Sequence, residues 1–283
     1  MKLNEKAMLV ALHTTGWNPQ ITDRPITDEV AQKHRVARSA GKYVKRLLPA
    51  RCPEFEAVEA ARRALRAYHN SVTLPWAQDA VRLMPAAIYF DYSAEMRKLR
   101  DALHAAVTDL AAALPTIKAR AQAELGSLYS GDNYPADVAR LYSDRISVLP
   151  LPDGADFRVT LNEEAVAEIR DNIERDVSEQ VQVAHRDLYD RLLTAVSRAA
   201  ERLADPEAVF RDSLIGNLRE LCALLPKLNL TGDQNLDAAV KEVDAALANR
   251  NPEILRENAT ARADAARAAA DIERRMRGLM GGA

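Results

Sequence analysis

Two long, regular stripes of apolar side chains decide most of what this sequence can fold into. Residues 86–127 place Tyr89, Tyr92, Met96, Leu99, Leu103, Val107, Leu110, Leu114, Ile117, Ala121 and Leu125 at alternating three- and four-residue steps. Residues 163–204 repeat the pattern through Val166, Ile169, Ile173, Val177, Gln180, Ala184, Leu188, Leu192, Ala195, Ala199 and Leu203. Such spacing keeps one face of an α-helix apolar, and each stripe is about 60 Å long at ~1.5 Å per residue. A helix that long needs a partner of its own length, so the two stripes predict an antiparallel, coiled-coil-like hairpin. Pro115 lies inside the first, where its ring and missing N–H are expected to kink the helix near Leu114.

Composition agrees with a helical protein. Alanine is abundant and aromatics make up only 5% of the chain, which favours helices packed through small and aliphatic side chains. The fold class expected is mainly α, with a small β element. Its β signal is Ile146–Pro150, a Pro152-Asp153-Gly154 turn, and Phe157–Leu161, after which Asn162 caps the next helix. A two-stranded hairpin is marginal alone, so the run Met8–Thr14 is a candidate third strand. Three segments follow: 1–80, an N-terminal strand plus basic helices; 81–205, the long hairpin with its β element at 144–161; and 206–283, C-terminal helices. The last of these, Pro252 to Met280, is rich in alanine and poor in large apolar residues, which reads as peripheral or as completed by a partner.

Local motifs exclude the commonest chemistries. Gly126 to Gly131 is followed by Asp132-Asn133 instead of Lys-Ser/Thr, so it is no phosphate loop, and no GxGxxG, GxSxG, HExxH or EF-hand pattern occurs. Cys52 and Cys222 stand 170 positions apart without metal-ligand spacing and read as two reduced thiols. Asp101 and His104 share a helix face, but one Asp/His pair in so charged a chain reads as solvated surface. No enzyme, cofactor or metal is expected. No apolar run approaches 18 residues, so the expected location is the cytoplasm, without a membrane.

The informative charge pattern is basic. No acid occurs between Glu29 and Glu54, while Lys33, Arg35, Arg38, Lys42, Lys45 and Arg46 fall in a stretch, Thr27 to Leu48, that reads as helical. On that helix Arg35, Arg38, Lys42 and Lys45 form one stripe with Tyr43 beside it, and Arg62, Arg63 and Arg66 repeat the theme on the next helix. A stripe of this kind suits phosphates, each neutralised phosphate releasing counterions. The alternative is a helix whose cations meet acids elsewhere in a chain of net charge -2. Trp76 is a candidate to stack on a base, against the plainer role of core anchor.

The order Lys2-Leu3-Asn4-Glu5-Lys6-Ala7, Trp17, Thr27-Asp28-Glu29-Val30-Ala31, Lys45-Arg46-Leu47-Leu48-Pro49, Thr73-Leu74-Pro75-Trp76, Arg82-Leu83-Met84-Pro85, Ser147-Val148-Leu149-Pro150 with Asp156-Phe157-Arg158-Val159, and Phe210-Arg211-Asp212-Ser213-Leu214 resembles a family of phage and prophage proteins known only as a domain of unknown function. The likeness spans most of the chain up to about Leu225. It implies a phage or mobile-element setting, sometimes beside genes for AAA+ ATPases of the MoxR or cobalt-chelatase type, and brings no catalytic residues. Two functions are therefore expected in competition. One is a non-enzymatic accessory that binds nucleic acid with little sequence preference, in recombination or single-strand handling. The other is an adaptor or scaffold, for example for an AAA+ ATPase. Self-association fits either, because long amphipathic helices often bury their stripes across a symmetry axis.

Overall fold

The computed structural model describes residues 3–77, 80–157, 159 and 162–281. In chain order they form helix α1 (Leu3–Lys6), strands β1 (Ala7–Thr15) and β2 (Gln20–Thr22), helix α2 (Arg24–His34), strand β3 (Val44–Arg46), helix α3 (Pro53–Ser71), strands β4 (Leu74–Pro75) and β5 (Val81–Pro85), helix α4 (Tyr89–Leu125), strand β6 (Ser143–Leu149), and helices α5 (Glu163–Ala204), α6 (Ser213–Leu228), α7 (Gln234–Val243), α8 (Pro252–Glu257) and α9 (Ala259–Gly281). The protein is mostly helical with a small antiparallel sheet, as the stripes and the composition predict. The sheet has the order β4-β5-β1-β6, and β2 pairs separately with β3. β1 therefore lies beside β6, the neighbour expected for the N-terminal run. Of the second strand expected at Phe157–Leu161, Arg158, Thr160 and Leu161 lie outside the described residues, and Phe157 and Val159 are not strand.

The chain forms two compact units that interleave along the sequence. A helical unit takes the described residues within 1–11, 70–92 and 147–283, and a mixed unit takes 12–69 and 93–146. In the helical unit β1 pairs antiparallel with β5, Leu9 facing Leu83 and Ala11 facing Val81. Asn162 caps α5 by accepting a hydrogen bond from the Ala165 N–H at 2.9 Å, as its place before Glu163-Glu164 predicts.

Only the second half of the α5 stripe enters the core. Leu188, Leu192, Val196, Ala199 and Leu203 are buried, whereas Val166, Ile169, Ile173 and Val177 are half-covered. Within this unit the main partner of α5 is α9. The alanine-rich C-terminal helix is thus not peripheral and does not await a partner. Its Ala265 and Ala269, both fully buried, form one face with the buried Ile272 and Met276, and methyl-sized side chains let the two backbones approach closely. Expecting a partner of matching length overlooked that alanine, weakly hydrophobic residue by residue, is an adequate contact face when it recurs at helical spacing.

In the mixed unit α4 buries its stripe from Met96 through Leu103, Leu110, Leu114 and Ile117 to Ala121. The helix runs unbroken through Pro115. Around it lie the buried Trp17, Leu47, Val58, Leu65, Tyr134 and Val138. Among the described residues no helix is long and apolar enough to cross a membrane.

The α5–α9 packing has a direct test. Ala269→Leu forces three extra heavy atoms into a closed contact and is expected to destabilise the protein by about 1–3 kcal/mol in urea denaturation, while Ala270→Leu on the exposed side of the same helix stays near neutral. Equal effects of the two would mean that α9 is not packed through its alanines.

Candidate nucleic-acid interface

The basic segment does not fold as the expected helix from Thr27 to Leu48. α2 starts earlier, at Arg24, because Asp23 caps it: the Asp23 carboxylate accepts from the Ile26 N–H at 3.2 Å, and Pro25 fills a first-turn position. α2 also stops earlier, at His34. Arg35 adopts a left-handed backbone, φ 52°, and its N–H bonds back to the Gln32 carbonyl at 3.1 Å. A single 3-10 turn at Arg38–Ala40 follows. Then Val44–Arg46 pairs antiparallel with Gln20–Thr22, Ile21 facing Lys45. Weak helix formers at Ser39 and Gly41, and Tyr43 and Val44 just after, favour the strand over the helix. The stripe of Arg35, Arg38, Lys42 and Lys45 is accordingly not a helical stripe. What exists instead is an excursion, residues 23–43, closed at its base by the β2–β3 pair.

The lock at that base is a buried ion pair. Lys45 is only 6% exposed, and its Nζ lies 3.0 Å from Asp23 Oδ2 while donating to the Leu128 carbonyl at 2.8 Å. The Lys45 hydrogen bond and the Ile26 N–H hold the Asp23 carboxyl below the usual carboxylate range. Two hydrogen bonds from backbone amides complete the closure, Asp23 N–H to the Tyr43 carbonyl at 3.0 Å and Tyr43 N–H to the Thr27 side-chain hydroxyl at 3.0 Å. Lys45, expected at the surface, is therefore structural. Sequence reading missed Asp23, although an aspartate two residues before a proline is a helix-start signature.

The other expected site residues divide clearly. Arg38 pairs with Asp28, Arg62 with Glu59 at 2.6 Å, and Arg66 donates to the Thr14 hydroxyl at 3.0 Å. Lys33, Arg35, Lys42, Arg46 and Arg63 are exposed, and among the described residues none has an ion-pair partner. Tyr43 is 39% exposed on the same excursion. Trp76 belongs to the helical unit and is half-buried. The tryptophan that anchors the core of the mixed unit is Trp17, edge-on to Phe55 at 6.2 Å and tilted against Tyr134 at 6.4 Å.

Beside the excursion a cleft of about 620 Å³ is bounded by Trp17, Pro19, Arg46, Phe55, Glu56 and Arg63. Gly16 lies on its rim, where a Cβ would stand 2.6 Å from the end of the Arg62 side chain, at Nη1. Below it the Tyr134 hydroxyl donates to the Leu47 carbonyl at 2.6 Å, and burial pushes that phenol up to about 12.

His104 finds a different partner from the one its own helix offers. Its Nε2 lies 2.8 Å from Asp144 Oδ1, and Arg100 bonds the same carboxylate. Burial pushes the Asp144 carboxyl up, and the hydrogen bonds from Arg100 and His104 outweigh it, leaving it lowered. Among the described residues no group of three or more His, Cys, Asp or Glu is placed to hold a metal ion. Cys52 and Cys222 are both buried free thiols. Comparison with protein-family models, curated proteins and solved structures finds no match to the chain.

Because Asp23 titrates lower in the folded protein than in the unfolded chain, its contribution is present above its ordinary value near 3.8 and is lost as pH falls through the folded value. Hydrogen exchange of the β2–β3 amides, corrected for intrinsic rate, should lose protection over that acidic range. Asp23→Asn keeps the cap but removes the charge, and it should open the same amides already at pH 7. Unchanged protection in that variant would show that the ion pair does not hold the excursion.

Proposed function

We propose that the protein is a non-enzymatic nucleic-acid-binding accessory whose contact surface is the basic excursion of the mixed unit. One observation carries the reading. A protein that used these cations only for its own cohesion would pair them internally, and the cohesive set is identifiable: Arg38, Lys45 and Arg62 each have a carboxylate. The remaining set, Lys33, Arg35 and Lys42 on the excursion with Arg46 and Arg63 outside it, is exposed, and among the described residues none has one. Like charges held close together repel, and a phosphate backbone relieves that repulsion through counterion release.

The chemistry is that of backbone contact and not of base reading. The carboxylates held there, Asp23 and Asp28, are engaged by Lys45 and Arg38, so they do not read base edges as the side chains of a sequence-specific reader do. Tyr43 offers one exposed ring for stacking, which suits single strands. The resemblance to phage and prophage proteins supports the same assignment, with recombination or single-strand handling as its setting. A competing adaptor reading is supported by Val30 and Val36 on the excursion and Val44 at its base, exposed by 46%, 49% and 43%. An apolar surface mixed with cations fits a protein partner, such as an AAA+ ATPase.

Fluorescence anisotropy with a labelled single-stranded 20-mer distinguishes the two. Binding at low salt should weaken steeply as salt rises, and Lys33→Glu with Arg35→Glu and Lys42→Glu should weaken it at least tenfold and flatten the logarithmic salt slope by about 2. Absence of binding at about 50 mM salt, or binding untouched by the triple variant, defeats the proposal and leaves the adaptor reading.

A further inference from the structure

A second, chemically separate site lies within the helical unit. A cavity of about 720 Å³ opens between α5 and α6, with Val209, Phe210 and Arg211 of the intervening loop completing its wall. Thr194, Arg198 and Arg202 face it from α5 at successive four-residue steps, and Asn217 faces it from α6. That periodicity sets the two arginines one above the other on a single helix face. The volume falls within the range of small-molecule sites.

The charge inventory singles out a ligand class. Arg191 and Asp187, also on the wall, form an ion pair at 2.7 Å, and Arg191 further donates to the carbonyls of Asn70, Ser71 and Thr73. Asp212, next to Arg211, is taken by Arg256 at 2.6 Å. Among the described residues this leaves Arg198, Arg202 and Arg211 without a carboxylate partner, against one acid of the wall outside any ion pair, Asp190. Like charges at a four-residue helical step repel, so these guanidinium groups share a cavity at a cost that an oxyanion removes. Planar guanidinium forks match phosphate bidentately.

The loop that carries Arg211 is fixed beforehand. A single guanidinium, Arg262 of α9, donates to the carbonyls of Arg202 at 3.0 Å, Leu203 at 3.2 Å and Ala208 at 2.8 Å, and to that of Asp205. Arg256 and Arg262 also lie against the buried Phe210 ring, with ring centroids 5.8 Å and 5.3 Å away. The wall beneath the three cations is therefore held rigid, and a preorganised site binds without ordering its own loop. Asp190 stands eight residues, about 12 Å along the axis, before Arg198. A ligand that reached both would carry a phosphate at one end and hydroxyl or amino hydrogens at the other, with a ring body against the Val209, Leu214 and Leu221 side chains.

The geometry points to a mononucleotide-binding site in this groove, with Arg198, Arg202 and Arg211 on the phosphate and Asp190 on the hydrogen-bond donors of the nucleoside. It does not rest on the nucleic-acid reading, which concerns the other unit.

Isothermal titration of the full chain with AMP, GMP, CMP and UMP tests it, with adenosine and inorganic phosphate as the two halves of the ligand. The expected result is that at least one mononucleotide binds more tightly than either half. Arg198→Ala with Arg202→Ala should weaken it at least tenfold at unchanged Tm, and Asp190→Asn should weaken the mononucleotide while sparing phosphate. Binding should persist in the Lys33→Glu, Arg35→Glu, Lys42→Glu variant, which separates this site from the excursion. No binding of any mononucleotide at 1 mM overturns the proposal. Phosphate binding as tightly as the mononucleotides overturns its nucleoside half. Should the double alanine variant fold poorly, Arg198→Lys, which keeps charge but loses the fork, must still weaken binding; no change with it overturns the assignment.

Discussion

A lysine turned inward holds the basic excursion in place. Moving an ammonium group out of water is costly unless a counter-charge and acceptors meet it, and Lys45 meets both, Asp23 at 3.0 Å and the Leu128 carbonyl at 2.8 Å. Because Asp23 is also the cap of α2, one carboxylate joins a helix start, a strand pair and a distant turn of the same unit. The arrangement fixes both ends of residues 23–43, leaving the intervening cations displayed on a closed loop. A buried ion pair contributes little net stability, but it specifies geometry where partner loss would strand a charge.

The long helices were legible from the spacing of their apolar residues, because a three- and four-residue rhythm sustained over forty positions has no other solution. The cap at Asn162 was legible for a similar reason, as local chemistry that acts within one turn. What covers each stripe was not legible. The α5 stripe meets α9, whose contact face is built from Ala265 and Ala269, and alanine carries so little hydrophobic contrast that the stripe is inconspicuous beside those of leucine and valine.

Reading the basic segment as a helix failed for a different reason. Its charges were correctly seen, but the helix ends locally at Arg35 in the left-handed region, and the pairing of Val44–Arg46 with Gln20–Thr22 joins residues distant in sequence. Lys45, in the middle of that strand, anchors the pairing through Asp23 and the Leu128 carbonyl. Conversely, the arginines of the α5–α6 groove gave a local signal, a four-residue step from Thr194 through Arg198 to Arg202, but nothing local says that Asp212 is taken by the distant Arg256.

The place of β1 in the sheet sets an order on how the molecule is made. The strand is the first to be synthesised, yet it lies between β5 and β6, which are translated much later. At the pace of a ribosome, Leu9 waits on the order of ten seconds for Leu83, its partner across the ladder. During that interval an apolar strand with two open edges is exposed to the surroundings. The early chain is thus at its most aggregation-prone before the long helices exist, and what guards it then is the flanking charges of Glu5 and Lys6.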